Sequence, residues 1–293
     1  TSWWKKQGWS YPPGSQRVLY WRPSRSLQVG GHLPLRRKSQ PAVSMMLLEL
    51  TSPSGSSSTL PSLTRAVPLA EHFHKAVISR LARKGPVDCP ELTGRDPFGK
   101  PLAQNHRHAH TLALDLDGDA RIDHILIFTE MGLSALAQNA IRDAKKIWSK
   151  GVSEPIQLAV AASGELEALR NLRKFSQAIE SLLGPAEGAT TWKSLTPFVL
   201  PRHCKTKGKN TLIGQINAEL TSRGFPAARN VELHAELSRG FRHYTTSRRP
   251  SYPQPPSHQG YGLVLTFDSP VRGPIILGYG AHFGLGVFSL LNL

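Results

Sequence analysis

Cysteine is nearly missing from this sequence of 293 residues: Cys89 and Cys204 stand far apart, and neither belongs to a CxxC pair. That excludes a disulfide framework and a cysteine-built zinc knuckle, and it fits a reducing cytosol. No run of about 18 apolar residues occurs and no basic amphipathic helix stands out, so a membrane is not the expected partner. The first residues, TSWWKKQGW, lack the apolar stretch of a signal peptide. Because the chain begins at Thr1 without a methionine, a longer protein that has lost its front is the expectation. Acidic residues are also scarce, 20 Asp and Glu against 36 Lys and Arg, which leaves a formal net charge of +16. A polyanion, with nucleic acid first, is therefore the leading partner class.

What is present suffices for real cores, with 39% hydrophobic residues in a length that allows one large domain or two ordinary ones. Residues 1–41 read as an irregular lead-in, rich in Trp, Pro, Gly and Arg, with only Val18–Trp21 resembling a strand. AVSMMLLEL, ending at Leu50, reads as a buried strand before a Ser/Pro/Gly loop. Leu69, Phe73, Ala76, Val77 and Leu81 have the spacing of an amphipathic helix. A second helix is expected with Leu133, Leu136, Ala140, Ile141, Ala144, Ile147 and Trp148 on one face, followed by a strand over Ile156–Ala162. With the hairpin described next, the order is β-α-β-β-α-β, the ferredoxin-like unit. A linker, 164–194, with a short helical piece, leads to a looser second copy: strand Leu195–Leu200, helix Leu212–Arg223, strands Val231–Ala235 and Leu263–Phe267. The expected architecture is thus α+β, with two tandem ferredoxin-like (RRM-like) domains over 42–163 and 195–293 and a glycine-rich loop near the carboxy terminus.

Chemistry and scaffold meet in HRHAHTLALDLDGDARIDHILIF, from His106 to Phe128. Two strand-compatible runs, Thr111–Leu116 and Ile122–Phe128, flank the turn-forming Asp117-Gly118-Asp119, which reads as a β-hairpin. Upstream, His106, His108 and His110 occupy alternate positions, so an extended chain places all three imidazoles on one face, roughly 6.6–7 Å apart. Alternating histidines on a strand also build zinc sites, with Asp115 or His124 available to complete the shell, but no second-shell partner is evident. Asp115, Asp117, Asp119 and Asp123 resemble a calcium loop, yet Gly118 comes early, Ala120 replaces the usual glycine and Leu126 takes the bidentate Glu position. A hairpin turn is the better reading, and no metal or cofactor is expected.

Basic side chains interleave with aromatic ones in SRGFRHYTTSRRPSYPQPP: Arg239, Arg242, Arg248 and Arg249 among Phe241, Tyr244 and Tyr252. That combination suits phosphate contacts with base stacking. A second basic run, RHCKTKGKN, carries Arg202, His203, Lys205, Lys207 and Lys209 and suits an RNA backbone. The terminal PIILGYGAHFGLGVFSLL sets Gly278, Gly280, Gly284 and Gly286 in an apolar frame around His282. Glycine lets backbone amides approach a phosphate, although the same spacing serves a bulge or tight turn.

HRHAHTLALDLDGDARIDHILIF, SLTPFVLPRH and LGYGAHFGLGVF, in this order, resemble the fused handle-binding and repeat-processing subunit of the type I-G (formerly I-U) CRISPR Cascade. The resemblance runs from about Arg17 to Leu293, and this chain is similar to the fusion's carboxy-terminal half, akin to the CRISPR repeat endoribonucleases. It implies paired ferredoxin-like domains, a cytoplasmic antiviral role, and as partners CRISPR repeat RNA, the 3′ handle of the guide RNA and other Cascade subunits. The handle-capping amino-terminal half of the fusion is not in this sequence.

The resemblance further implies cleavage without metal: a base takes the proton of a ribose 2′-OH, which attacks the adjacent phosphate and expels the 5′ oxygen. Histidine suits both proton transfers, while Lys, Arg or Tyr can stabilise charge on phosphorus. The family's catalytic histidine commonly follows the first helix, which points to His108 and His106, with His203 as a further candidate over the scissile phosphate and His72 and His74 on the first helix as alternatives. A handle-binding scaffold without activity is the other reading, and a metal-dependent hydrolase a third.

Overall fold

A single short helix, α1 (Trp3–Lys6), is the only element described within Thr1–Gln40, a unit separate from Pro41–Leu293. The computed structural model describes residues 2–9, 43–83, 88–103, 106–148 and 154–291, so the strand-like Val18–Trp21 lies outside the described residues. Among the described residues no helix is long and apolar enough to cross a membrane.

In the larger unit the buried apolar run becomes β1 (Met45–Thr51), followed by α2 (Ala66–Ala82), a helical turn α3 (Pro90–Thr93), and the hairpin strands β2 (His110–Leu114) and β3 (His124–Phe128). Then come α4 (Ala135–Arg142), a short β4 (Lys146–Ile147) and β5 (Ile156–Gly164). These strands form one antiparallel sheet of order β2-β3-β1-β5-β4. Leaving out the edge strand β4, this is the order of a ferredoxin-like unit, with β5 as its fourth strand. β1 reads as a continuous apolar run because both of its faces are covered. Met46, Leu48 and Leu50 pack with Leu69, Phe73 and Val77 of α2 and with Ala137 and Ile141 of α4. Met45 and Leu47 join Leu112 and Leu126 on the opposite face, against Ile276, Ala281 and Val287 from the far end of the chain.

α4 stops earlier than its apolar spacing suggests. Ser134 caps its start by accepting the Ala137 N–H at 3.1 Å, but the helix ends at Arg142 and Ile147 instead pairs with Ile156 in the sheet. Ile147 faces inward from β4 at a position that also continues the helical stripe, so periodicity alone could not separate the two, and Trp148 is left 59% exposed.

The expected linker 164–194 contains α5 (Ser176–Leu183) and a strand, β6 (Ala189–Ser194). The order then runs β7 (Phe198–Val199), α6 (Leu212–Ser222), β8 (Asn230–Leu233), α7 (Ala235–Gly240), β9 (Gly260–Tyr261), β10 (Leu263–Val271) and β11 (Phe288–Leu290). The second sheet has the order β11-β6-β10-β8, while β7 pairs only with β9. Its first strand is thus β6, not Leu195–Leu200. Pro197 has no N–H for a ladder, and β6 is hidden in the sequence because one fully buried residue, Trp192, carries most of its apolar character. α7 begins at Ala235, where the expected strand Val231–Ala235 was to end, and runs into the stretch expected to be a loop, capped where the His234 ring Nδ1 accepts the Leu237 N–H at 3.3 Å. Where a ferredoxin-like unit would carry its second helix, between β10 and β11, there is only a 3₁₀ turn, Ala281–Phe283, set among the terminal glycines.

The Arg-rich loop after α7 lies against α2. Thr245 N–H donates to the Thr64 carbonyl at 3.0 Å, and Arg248 Nε pairs with Glu71, a carboxylate only 3% exposed. The Arg248 guanidinium also lies 4.3 Å from the Tyr252 ring centroid and 4.2 Å from that of Phe283. Removing the cation strands a buried charge, so Arg248→Ala should lower stability by about 3 kcal/mol, whereas replacing both partners, Glu71→Leu with Arg248→Met, should recover most of it. Chemical denaturation of the two variants checks this, and a single variant as stable as the parent would contradict it.

Candidate active site

The segment before β2, a turn at His106 and bends at Arg107 and His108 and not the extended strand expected, brings the three alternating histidines to one place. Ala109 N–H donates to the Glu91 carbonyl at 2.7 Å and the Arg107 carbonyl accepts the Thr129 hydroxyl at 2.7 Å, so both sides of the segment are held. His110 opens β2, pairs across the ladder with Phe128 and stacks on its ring at 5.0 Å. Against these rings comes a fourth imidazole, His282, from the 3₁₀ turn between Gly280 and Gly284. It stacks 3.8 Å from His108, 4.2 Å from His110 and 5.9 Å from His106. Its Nδ1 lies 3.2 Å from the Ala109 carbonyl, an acceptor only, so Nδ1 carries the proton and Nε2 keeps the lone pair. His74 of α2 meets Phe283, the next residue, edge-on at 5.6 Å.

Burial is the first cause of the low proton affinity throughout this cluster. It pushes His110 down to about 3, with Arg223 adding to the effect, and His74 down to about 4, with Arg248 next. His282 is held well below the ordinary value by burial and then by His110. His106 is lowered by burial and then by Arg223, while Glu219 opposes the shift. These four rings are therefore neutral at pH 7. A base too strongly depressed is a weak one, which favours half-buried His106 over sealed His110.

His106 and His110 line a cleft of about 430 Å³ together with Phe128, Thr129, Glu130 and Arg223. Arg223, just past α6, has a side chain only 7% exposed; its Nη1 meets Glu219 Oε2 at 2.8 Å, and the same oxygen accepts the Gly278 N–H at 2.9 Å. Arg223 escaped the sequence reading because Glu219 and Arg223 at i, i+4 look like an ordinary surface pair. Only the tertiary fold buries them. His108 does not line this cleft: it is packed between His282 and Gly94, where an added Cβ would stand 2.9 Å from the His108 ring.

The other expected residues fall in three places. Arg202, His203, Lys205, Lys207 and Lys209 are exposed on the loop after β7. Fully buried Gln215 shapes this loop, its amide donating to the carbonyls of Arg202 at 3.1 Å and Asn210 at 3.0 Å while its oxygen accepts the Arg202 N–H at 3.0 Å. Arg239 and Arg242 are exposed beside half-buried Tyr244, and with Phe241, Thr246 and His258 they line a second cleft of about 500 Å³. Burial, then Asp115, raises the Tyr244 hydroxyl to about 12. Arg248 is committed to Glu71, and Arg249 adds a backbone N–H to the same carboxylate at 3.4 Å. Among the terminal glycines, a Cβ on Gly286 would stand 1.8 Å from the Leu277 carbonyl oxygen and one on Gly278 2.6 Å from that of Val199, so both answer to the fold's own packing.

The zinc reading of the three histidines gains nothing: among the described residues the one group of three His, Cys, Asp or Glu side chains with ligand atoms all within 4.8 Å is Asp115, Asp117 and Asp123. Those carboxylates hold the hairpin turn. Asp115 accepts the N–H groups of Gly118 at 2.7 Å and Ala120 at 2.8 Å, and Asp123 accepts that of Leu116 at 2.9 Å.

The neutral cluster has a consequence for stability. Below its ordinary value of 6.5 the unfolded chain protonates His110, while the folded chain refuses that proton until about pH 3. Stability therefore falls as pH falls through that window, by at most about 1.4 kcal/mol per pH unit for this residue. Urea denaturation of His110→Phe, which keeps a ring against Phe128, should show a shallower acid loss than the parent, and parallel curves would contradict the burial of a neutral ring.

No protein-family model matches this sequence, and no curated protein matches it significantly. A solved structure titled a Cas6 product complex overlaps 85% of this chain and 100% of its own at 14% identity and a TM-score of 0.38, a likeness too loose to assign a residue or an activity.

Proposed function

We propose that residues 42–293 are two tandem ferredoxin-like domains acting as a metal-independent endoribonuclease on CRISPR repeat RNA, staying on the 3′ handle of its product within a Cascade-type effector in the cytoplasm. The observation that carries this reading is the meeting of His106, His108 and His110 with His282 from the glycine-rich segment, with neutral His106 and His110 lining a cleft that also holds a buried arginine. A neutral imidazole at the edge of a cleft is what removal of a 2′-OH proton requires. His106 is the base in this reading. It takes the proton from the 2′ oxygen, which bonds to phosphorus as the bond to the 5′ oxygen breaks, and a proton returns to that leaving oxygen. The products are a 2′,3′-cyclic phosphate and a 5′-OH.

His108, locked between Gly94 and His282, is then a positioning residue that sets the stack on which His106 rests. Arg202, Lys205, Lys207 and Lys209 on their braced loop, with Arg239 and Arg242 beside Tyr244, supply backbone contacts and a stacking surface for an RNA strand. The choice of repeat RNA rests on the three sequence segments that resemble the type I-G subunit. One observation favours the second reading, a handle-binding scaffold: His110 and His282 are buried deeply enough to serve as a joint between the two sheets without any proton transfer.

Single-turnover cleavage of the chain's own repeat hairpin in EDTA separates the readings. Cutting by the parent, slowed about 10²–10⁴-fold in His106→Ala with RNA affinity changed by no more than a few-fold, is the expected result. Binding without cutting would establish the scaffold, and cutting only with added metal would establish a hydrolase of another kind.

A further inference from the structure

Arg223 presents an arrangement that its ion pair does not use. A guanidinium has two donor edges suited to paired acceptors, and the edge made by Nε–H and one Nη2–H points two parallel bonds in the same direction. Glu219 takes Nη1 alone, through its carboxylate at 2.8 Å and its backbone carbonyl at 3.0 Å. Nε and Nη2 have no hydrogen-bond partner among the described residues, although the side chain is more than nine-tenths buried. Nδ1 of His106, on the same cleft, is likewise buried without a partner. Buried donors left unmatched are costly and uncommon, and three such atoms on residues lining one cleft indicate a ligand that supplies acceptors there.

We propose that the cleft between His106 and Arg223 is a site for one phosphate oxyanion, held two-pronged on the Nε–Nη2 edge of Arg223 with a third contact from His106. Two oxygens of a tetrahedral phosphate match the parallel donors, and charge-assisted bonds of this kind are strong where water is excluded. Glu219 orients the guanidinium and, through the Gly278 N–H at 2.9 Å, ties it to the glycine-rich segment that carries His282. The site thus spans both sheets. An anion on Arg223 would also offset the positive charge that, after burial, holds His106 below its ordinary proton affinity. In an RNA strand the oxyanion is the scissile phosphodiester. That identification rests on the endoribonuclease reading, whereas the anion site itself does not.

Inorganic phosphate tests the site without RNA. The ring protons of His106 are followed by NMR across pH, in phosphate and in chloride at equal ionic strength. Phosphate should raise the His106 pKa in the parent. Arg223→Lys, which keeps the charge but loses the paired edge, should weaken phosphate binding about tenfold or more, and it should slow cleavage of repeat RNA by a similar factor. A His106 titration in the parent that is the same in phosphate and chloride overturns the site, and this outcome needs no variant to fold. Equal phosphate affinity in the parent and in a folded Arg223→Lys overturns the role of the paired edge. Phosphate bound through Arg223 with no cutting of RNA leaves the site standing and overturns the endoribonuclease reading. RNA cut at the parent rate by Arg223→Lys, with no response of His106 to phosphate, does the reverse.

Discussion

A buried carboxylate in the middle of a helix must be neutralised, and how Glu71 is neutralised sets the geometry of everything around the histidines. The cation comes from Arg248, far along the chain, and it brings a loop with it. The Arg248 backbone N–H donates to the Tyr279 hydroxyl at 3.2 Å, which in turn donates to the Pro253 carbonyl at 2.8 Å. Its guanidinium lies against Phe283, and Phe283 follows His282. The ion pair between α2 and this loop therefore presses the glycine-rich turn onto the first sheet and presents His282 to His108 and His110. Beneath it, Val67 and Ala70 of α2 pack with Val199, Phe283 and Leu285. The site lies along this seam.

The same arrangement explains an apparent contradiction in the charge. A chain with a net charge of +16 places four imidazoles together and keeps His106, His110 and His282 uncharged. Desolvation does most of this, and two guanidiniums, Arg248 near His74 and Arg223 near His106 and His110, add to it. Positive charge is thus divided between two uses. Half-buried Arg248 and the buried side chain of Arg223 shape the site, while Arg202, Lys205, Lys207 and Lys209 remain exposed on a loop braced by Gln215. The exposed side chains, with Arg239 and Arg242, are open to a polyanion.

What could be read in the sequence follows from how local each signal is. The hairpin was legible because two apolar runs meet at Asp117-Gly118, and α2 because Leu69, Phe73, Val77 and Leu81 share a helical face. The alternation of His106, His108 and His110 was legible, but the chain turns and bends through 106–108, and the rings meet through His282 and not along one extended face. β6 was not legible, since Trp192 is its one buried apolar residue among Thr, Lys and Ser, and the short β11 was lost among glycines chosen for close packing. The reach of His282 to the Ala109 carbonyl spans 173 positions, and Arg248 to Glu71 spans 177. No periodicity encodes a contact at that separation. Arg223 illustrates the limit most sharply, because the helical pair that hides it from the sequence occupies Nη1 and leaves Nε and Nη2 without a partner among the described residues.

The central claim is that neutral histidines at this seam direct a ribose 2′ oxygen onto the neighbouring phosphorus. Mass spectrometry of the RNA ends left by the parent protein tests it most directly, using a repeat hairpin and its counterpart with one 2′-deoxyribose at the cut. The account predicts a 2′,3′-cyclic phosphate on the upstream product, a 5′-OH on the downstream one, and no cut in the deoxy substrate. Ends bearing a 5′-phosphate and a 3′-OH, or cleavage of the deoxy substrate at the same position, would contradict it.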